Sequence, residues 1–473
     1  MVKKLSILFV LLSTPFFAQE KKWTIEECIN YAQENNITIQ GSSLDMEQTQ
    51  INKKDAIGSF LPSLNMSASH SWNIGLNQNI TTGLLENQTT QFSSAGFNVG
   101  VPIYRGLQLQ NQLRKANLQL VSSQYQMDKM KEDISLNVAN SFLQILFNKE
   151  NVGNLERQIT LSDAQLSRTQ SMVDAGSLPK GDLLDIKATL AADKQRLIQA
   201  KNALFISKLA LAQLLQLKDY KTFDISDNSD ISLLSSVLVE TPESIVAKAL
   251  ESRMEVKIAD ANLAVAEKDV SIAKGALAPT ISGFYGFSTR AAYTDRVVGV
   301  TPDADPNVLG YVEGTNQLVL QPSFSPVLGN PLPLFDQFSN NKGQNFGLQL
   351  SVPVFNGFSA RNNVERAKIA QKRAELNKEQ TVLELERNVY TAYTDAQTAK
   401  ESYEAALESA TARKESYEYA KARYEVGLMN VFDFNQAQNL LATADSEVIR
   451  TKYDFIFKTK IVELYFGIPL TEN

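Results

Sequence analysis

The stretches "GVPIYRG" (Gly100–Gly106) and "SVPVFNG" (Ser351–Gly357) carry one phrase, Val-Pro-aliphatic-aromatic-x-Gly, at two places in a single chain. The two valines, Val101 and Val352, lie 251 positions apart. The same offset relates "MVDAGSLPKGDLLD" from Met172 to "YEVGLMNVFDFNQ" from Tyr424, pairing Gly176 with Gly427 and Asp182 with Asp433. Upstream of the phrase the offset is 217: "TIEECINYAQENN" from Thr24 matches "TPESIVAKALESR" from Thr241, and Pro62 matches Pro279. The second copy therefore holds 34 extra residues, all between Pro279 and Val352. Two copies of one plan in register are an internal duplication, here expected as repeats over about 19–240 and 241–473.

Each repeat has the same order of elements. A shorter helical stretch (about 37–58, then about 242–276) precedes an alternating segment, a loop and a second alternating segment that ends in the Val-Pro phrase. Leu64, Met66, Ala68, Trp72 and Ile74 share one face of the first segment, with Asn65, Ser67, Ser69, Ser71 and Asn73 on the other. Phe97, Val99, Val101 and Ile103 form a second such face, and Phe346, Leu348, Leu350, Val352 and Val354 a third. Between Ile281 and Phe287 the alternation is broken by Phe284. Period-2 patterning predicts strands with one apolar and one polar face, over about 62–75, 92–104, 279–289 and 345–355. At about 10 residues each they have the length of tilted membrane-spanning strands. His70 falls on the apolar face and reads as a packed or headgroup-level residue.

Long helices follow each phrase. Apolar residues recur every seven at Leu113, Leu120, Met127 and Ile134, then, after a step of four, from Val138 to Val173. Val389, Ala396, Tyr403, Ala410, Tyr417 and Tyr424 keep the register in the second copy. The sevens predict coiled-coil helices over about 107–173 and 358–424, and the extra four residues a stutter that locally unwinds them. Such a helix is roughly 100 Å long at ~1.5 Å per residue. After the Gly176 and Gly427 turns, helices are expected over about 180–217 and 431–466. Four strands cannot close a barrel by themselves, and open edges cannot face lipid, so several copies must share one barrel.

Composition narrows the function. The chain opens with a basic pair (Lys3, Lys4), an apolar run from Leu5 to Leu12 and a small residue at Ala18, the pattern of a secretory signal peptide over 1–18. Without those lysines the net charge moves from −6 to −8, which does not fit a nucleic-acid partner. One cysteine (Cys28) permits no intramolecular disulfide, and one histidine (His70) leaves little material for metal sites or nucleophilic catalysis. An enzyme, a cofactor or a catalytic site is not expected.

The duplicated order, the two phrases and the two Gly-x5-Asp turns together resemble the TolC-like outer-membrane efflux family, over essentially the whole mature chain. The resemblance implies a mixed α and β membrane protein in which a homotrimer closes a 12-stranded β-barrel against outer-membrane lipid. A long helical tunnel then extends into the periplasm. It implies an efflux or type I secretion duct, docked on a periplasmic adaptor (membrane fusion) protein and an inner-membrane efflux pump, through which substrates pass passively outward. Pro102, Gly106, Pro353 and Gly357 then mark the barrel-to-tunnel junctions, where proline limits the strand and glycine permits the turn. Tyr424 matches a gating tyrosine, Asp182 its hydrogen-bonding partner, and Asp433 an aspartate ringing the periplasmic constriction. Three positions depart from the family pattern: Met429 stands at an arginine link, Gly181 at its partner and Gln436 at a second aspartate. Asp182 and Asp433 also suit helix starts on chemistry alone. The alternative function is a secreted coiled-coil adaptor or surface structural protein without a pore, which explains the heptads but not the strands. The 34 extra residues, rich in Pro, Asn and Gly, are expected in an exterior loop.

Overall fold

The computed structural model describes residues 22–78, 83–227 and 236–468, so the expected signal peptide lies outside the described residues. In chain order the elements are β1 (Lys22–Trp23), α1 (Ile25–Asn35), α2 (Ile37–Gly58), β2 (Ser63–Gln78), β3 (Leu85–Arg105), α3 (Gln108–Asp174) and α4 (Lys180–Leu214). There follow β4 (Asp224–Ile225), α5 (Pro242–Ser252), α6 (Met254–Gly275), β5 (Thr280–Ala292), β6 (Arg296–Pro302), β7 (Asn307–Tyr311), β8 (Leu318–Gln321) and β9 (Phe324–Gly329). The chain ends with α7 (Leu334–Asn340), β10 (Gly343–Ser351), α8 (Ser359–Glu425) and α9 (Val431–Phe466). The 217 offset relates α1 to α5, α2 to α6 and β2 to β5, and the 251 offset relates α3 to α8 and α4 to α9.

The helical stretch expected over 242–276 is two helices. Arg253 is extended (φ −68°, ψ 134°) and separates α5 from α6, as Asn36 (φ −68°, ψ 127°) separates α1 from α2. Helix α1 has its own start signal, a capping box in which Thr24 and Glu27 each accept the other's backbone N–H. Both break residues are buried, with different partners. Asn36 donates from Nδ2 to the Leu214 carbonyl (2.9 Å), whereas Arg253 pairs with Glu132 (3.0 Å) and Glu255 (3.1 Å).

Two compact units form: residues 51–117 with 266–370, and the remainder. Helices α2, α3, α6 and α8 each contribute residues to both. The larger unit is helical apart from the short parallel pair β1–β4, and its main core gathers Ile29, Val138, Phe142, Ile145, Leu211 and Ile225.

The smaller unit is built on a four-stranded antiparallel sheet of order β10-β5-β3-β2. Its register aligns Met66, Phe97 and Phe287 across three strands, and Leu64, Val99, Tyr285 and Phe346 across four. One face is therefore largely apolar, with Gln344 and Ser93 also on it, and its edge-strand side chains are open: Ile74 is 83% and Phe346 80% exposed. Phe284 lies on the polar face, where its register neighbours Gly100 and Gly347 leave room; a Cβ at Gly347 would meet the ring at 3.1 Å. His70 bonds Ser93 Oγ through Nδ1 (2.8 Å) and packs edge-on to Trp72.

The two prolines act differently. Pairing of β3 with β2 stops at Gly100, before Pro102, but pairing with β5 continues past a bulge to Arg105. Pro102 therefore ends only one ladder, contrary to the expectation that it limits the strand. Strand β10 does end before Pro353. Each junction then places two successive residues in the left-handed region, Gly106–Leu107 (φ 55° and 61°) and Gly357–Phe358 (φ 64° and 65°).

The extra residues are more than a loop. Strands β6 and β9 pair, β7 and β8 pair beyond them, and the two pairs follow one another as a two-stranded arm, each with a register shift. Leu318, Leu320, Phe324 and Leu328 alternate with Val319, Gln321, Ser325 and Val327 along its returning side. Helix α7 ties the arm's base to β5, with Gln337 exchanging hydrogen bonds with both backbone groups of Ala292 (3.0 and 3.1 Å).

A Cβ on Gly106 would lie 2.2 Å from the Gly275 carbonyl oxygen, whereas one on Gly357 would meet nothing within 4 Å. Gly106→Ala and Gly275→Ala should each cost at least about 2 kcal/mol. Gly41→Ala, in the open on α2, should stabilise by ~0.5–1 kcal/mol. Thermal unfolding followed by circular dichroism in detergent reads all three, and an equal response at Gly275 and Gly41 would refute the close approach.

Candidate functional site

The two helix turns close with the same bonds. Gly176 (φ 74°) donates to Val173 O (3.0 Å) and Ser177 to Met172 O (2.8 Å). Gly427 (φ 77°) donates to Tyr424 O (3.1 Å) and Leu428 to Arg423 O (2.8 Å). This is the paired 5→2 and 6→1 closure that needs a left-handed residue after the helix. No atom lies within 4 Å of an added Cβ at either glycine, so backbone conformation and not crowding selects them.

Asp182 and Asp433 occupy equivalent places, each the third residue of its helix. The caps themselves are Pro179, which has no side-chain cap bond, and Asn430, whose Oδ1 accepts the Asp433 N–H (2.8 Å). Asn430 Nδ2 also donates to Asp433 Oδ2 (2.8 Å). The aspartates are thus first-turn carboxylates facing a positive helix end rather than caps. Asp433 is exposed and Asp182 half-buried.

Tyr424 is only 3% exposed. Its ring stacks on Phe434 (centroids 4.7 Å apart, planes at 16°) in a cluster with Ile186, Tyr417 and Val431. The hydroxyl lies 3.4 Å from Thr169 Oγ1, itself fully buried. Within the chain the Tyr424 hydroxyl therefore meets Thr169 of α3 and not Asp182, the partner expected. Met429, at the expected arginine position, packs against the same cluster, while Gly181 and Gln436 are exposed.

Other contacts link the helices near these turns. Arg168 of α3 pairs with Glu425 of α8 (2.8 Å), one residue along from the Thr169–Tyr424 contact. Farther from the turns, Ser162 Oγ donates to Asp193 Oδ2 (2.8 Å), and Gln438 Nε2 donates to Ser162 Oγ (3.1 Å). Asp193 is 1% exposed, and its other oxygen faces Arg196 (3.5 Å). Sequence reading missed both groups. Asp193 lies outside the apolar sevens, and an ion pair 257 residues apart leaves no local pattern. Among the described residues no group of three His, Cys, Asp or Glu could hold a metal ion.

Residues 28–216 and 245–456 match the outer membrane efflux protein family. The chain belongs to that family. It is 21% identical over 204 residues to outer membrane protein TolC of Salmonella enteritidis, and 19% over 203 residues to TolC of Escherichia coli K12. Each alignment covers 42% of this chain and 41% of the relative, so the chain spans about two fifths of the length of the curated relatives it matches. The fold is that of CusC, whose crystal structures concern folding and transmembrane channel formation (TM-score 0.75, 17% identity, 94% of this chain and 92% of that one). It is also that of the outer membrane protein VceC of Vibrio cholerae (TM-score 0.73, 13% identity, 94% and 96% covered). The Campylobacter jejuni CmeC outer membrane channel shares it as well (TM-score 0.70, 19% identity, 95% and 87% covered).

Because Tyr424 bonds Thr169, Tyr424→Phe and Thr169→Val should each lower stability by about 1 kcal/mol, and the double variant by little more than either. Coupling of Tyr424→Phe to Asp182→Asn, and not to Thr169→Val, would overturn the assignment.

Proposed function

We propose that three copies of this chain form the outer-membrane channel-tunnel of an efflux or type I secretion system. The observation that carries this reading is a four-stranded sheet with one open apolar face and two outer edges, β2 and β10, that no other strand among the described residues pairs. Among the described residues no helix is long and apolar enough to cross a membrane. In hydrocarbon an unpaired ladder costs several kcal/mol per group, so such a sheet enters lipid only as part of a closed barrel. Three copies supply twelve strands, within the range of membrane barrels. The coiled-coil helices continue the barrel as a tunnel into the periplasm. A periplasmic adaptor and an inner-membrane pump deliver the substrate, and the duct conducts it passively.

The two glycine turns form the periplasmic entrance. Asp433, exposed beside its Asn430 cap, contributes one carboxylate per copy to a ring. Like charges held close attract multivalent cations. Arg168–Glu425 and Thr169–Tyr424 hold the ends of α3 and α8 together in the closed state, in place of the family's arginine link. The arm at residues 296–329 stands outside the cell.

The extracted protein should migrate as a heat-sensitive trimer on detergent gels, and a folded monomer that keeps all its strand content would sink the reading. In planar bilayers Asp433→Ala should weaken block by trivalent cations, and Arg168→Ala with Tyr424→Phe should raise single-channel conductance. Block and conductance unchanged in both would place the constriction elsewhere. A protease site inserted at Asp305 should be cut on intact cells; cutting only after permeabilisation would invert the topology.

A further inference from the structure

The arm at residues 296–329 lies in the surplus of the second repeat, and its register sorts its side chains. In β6–β9 the pairs Val297–Leu328, Val300–Pro326 and Pro302–Phe324 share one side, against Gly299–Val327 and Thr301–Ser325 on the other. In β7–β8 the pairs Val308–Leu320 and Tyr311–Leu318 share one side, against Asn307–Gln321 and Gly310–Val319. Leu318, Leu320, Phe324, Pro326 and Leu328 are spaced by even numbers along the returning side, so the two apolar sides continue one another. Every large residue there is open: Tyr311 is 68%, Val300 62% and Phe324 57% exposed.

A two-stranded ribbon is marginal in water by itself. Large side chains about half exposed along the whole arm leave on the order of 800 Å² of apolar surface, the share one partner gives to a stable interface. Charge tells against lipid as the cover. The ionisable residues are Arg296 at the base and Asp303, Asp305 and Glu313 beyond it, whereas a surface that lies on anionic lipid carries Lys or Arg beside its apolar side. Pro302, Pro322 and Pro326 lack the N–H that an added strand would bond, which blunts the edges and leaves the apolar side as the meeting surface.

Reach tells in favour of a second copy. Twelve strands about 4.8 Å apart and tilted about 40° would set a barrel wall roughly 12 Å from its axis. The outgoing side of the arm, Arg296–Tyr311, spans up to roughly 50 Å at ~3.3 Å per residue. Its base is fixed, because Gln337 of α7 bonds both backbone groups of Ala292. Arms rising from one barrel can therefore meet across the pore.

We propose that the arms of three copies pack their apolar sides against one another on the three-fold axis and cap the outer mouth of the channel. Cyclic symmetry then covers each apolar side with two identical ones. Thr301, Ser325, Asn307 and Gln321 face water, and the Asp303 carboxylate stays at the outer bend with its donor Ser325. The inference rests on the proposed channel, and it adds a constriction at the outer end, separate from the glycine turns.

The test uses the full chain with Cys28→Ala, which removes the only cysteine. Leu318→Cys, Leu320→Cys and Phe324→Cys are then introduced one at a time and the trimers treated with a short bis-maleimide. A single cysteine per chain joins two subunits only where a residue approaches its own copy. At least one of the three should convert heated monomer into a covalent dimer, while Gln321→Cys and Ser325→Cys, on the other side, should stay monomeric. Leu318→Asn with Leu320→Asn should lower the temperature at which the trimer dissociates and raise single-channel conductance, and Val319→Asn with Val327→Asn should do neither. Trimers that conduct but join at none of the apolar positions, or join equally from both sides, overturn the contact. A blue shift of a dansyl label at Leu320→Cys on adding vesicles, without joining, would give the apolar side to lipid and overturn it as well. Absence of any trimer in the unsubstituted protein would defeat the channel reading itself, an outcome distinct from these.

Discussion

A peptide N–H in hydrocarbon has no water to bond, and in the proposed channel this constraint orders the smaller unit of the molecule. Strands β5 and β3 each have two neighbours, while β10 and β2 have one. The open apolar face calls for lipid, and the unpaired edges forbid it to a lone chain. The proposed barrel satisfies both demands together. Strands β2 and β3, at 16 and 21 residues, run beyond both the alternation and the ~10 residues that a tilted membrane crossing needs.

The paired helices of the two repeats share their bounds to within a residue but not their interiors. Asn36 and Arg253 break the helices at equivalent positions, but one satisfies a helix-end carbonyl while the other is held between two carboxylates. Burial pushes the Glu132 carboxyl up from its ordinary value, while the nearby Arg253 guanidinium opposes the shift. A buried charge left without its partner is costly, so Arg253 and Glu132 depend on one another more than an exposed pair would. The halves have diverged where side chains meet, while the turns that set chain direction stay alike.

The helix ends show the same division of labour. Gly176 and Gly427 are interchangeable in conformation, as the matching hydrogen bonds make plain. The helix starts beyond them differ. Pro179 starts α4 without a side-chain cap, and Asn430 starts α9 with one that also engages Asp433. The apolar cluster around Phe434 takes in Met429, just before the Asn430 cap.

The sequence by itself determined the periodic elements, because a helix or strand buried on one side must repeat its apolar residues at a fixed interval. The helices α3, α8 and α9, the four strands and the glycine turns were legible for that reason. So was the duplication, which is a property of spacing alone. Tertiary structure decided what spacing does not encode. It split the 242–276 stretch at Arg253, whose partner Glu132 lies on another helix. It set the Tyr424 hydroxyl beside Thr169 and stacked its ring on Phe434. It let Pro102 remain inside β3, since pairing on one side alone had ended. It placed Phe284 on the polar face, where Gly100 and Gly347 from two other strands make the room. Each of these depends on atoms distant in sequence, and no periodicity within a segment can report them.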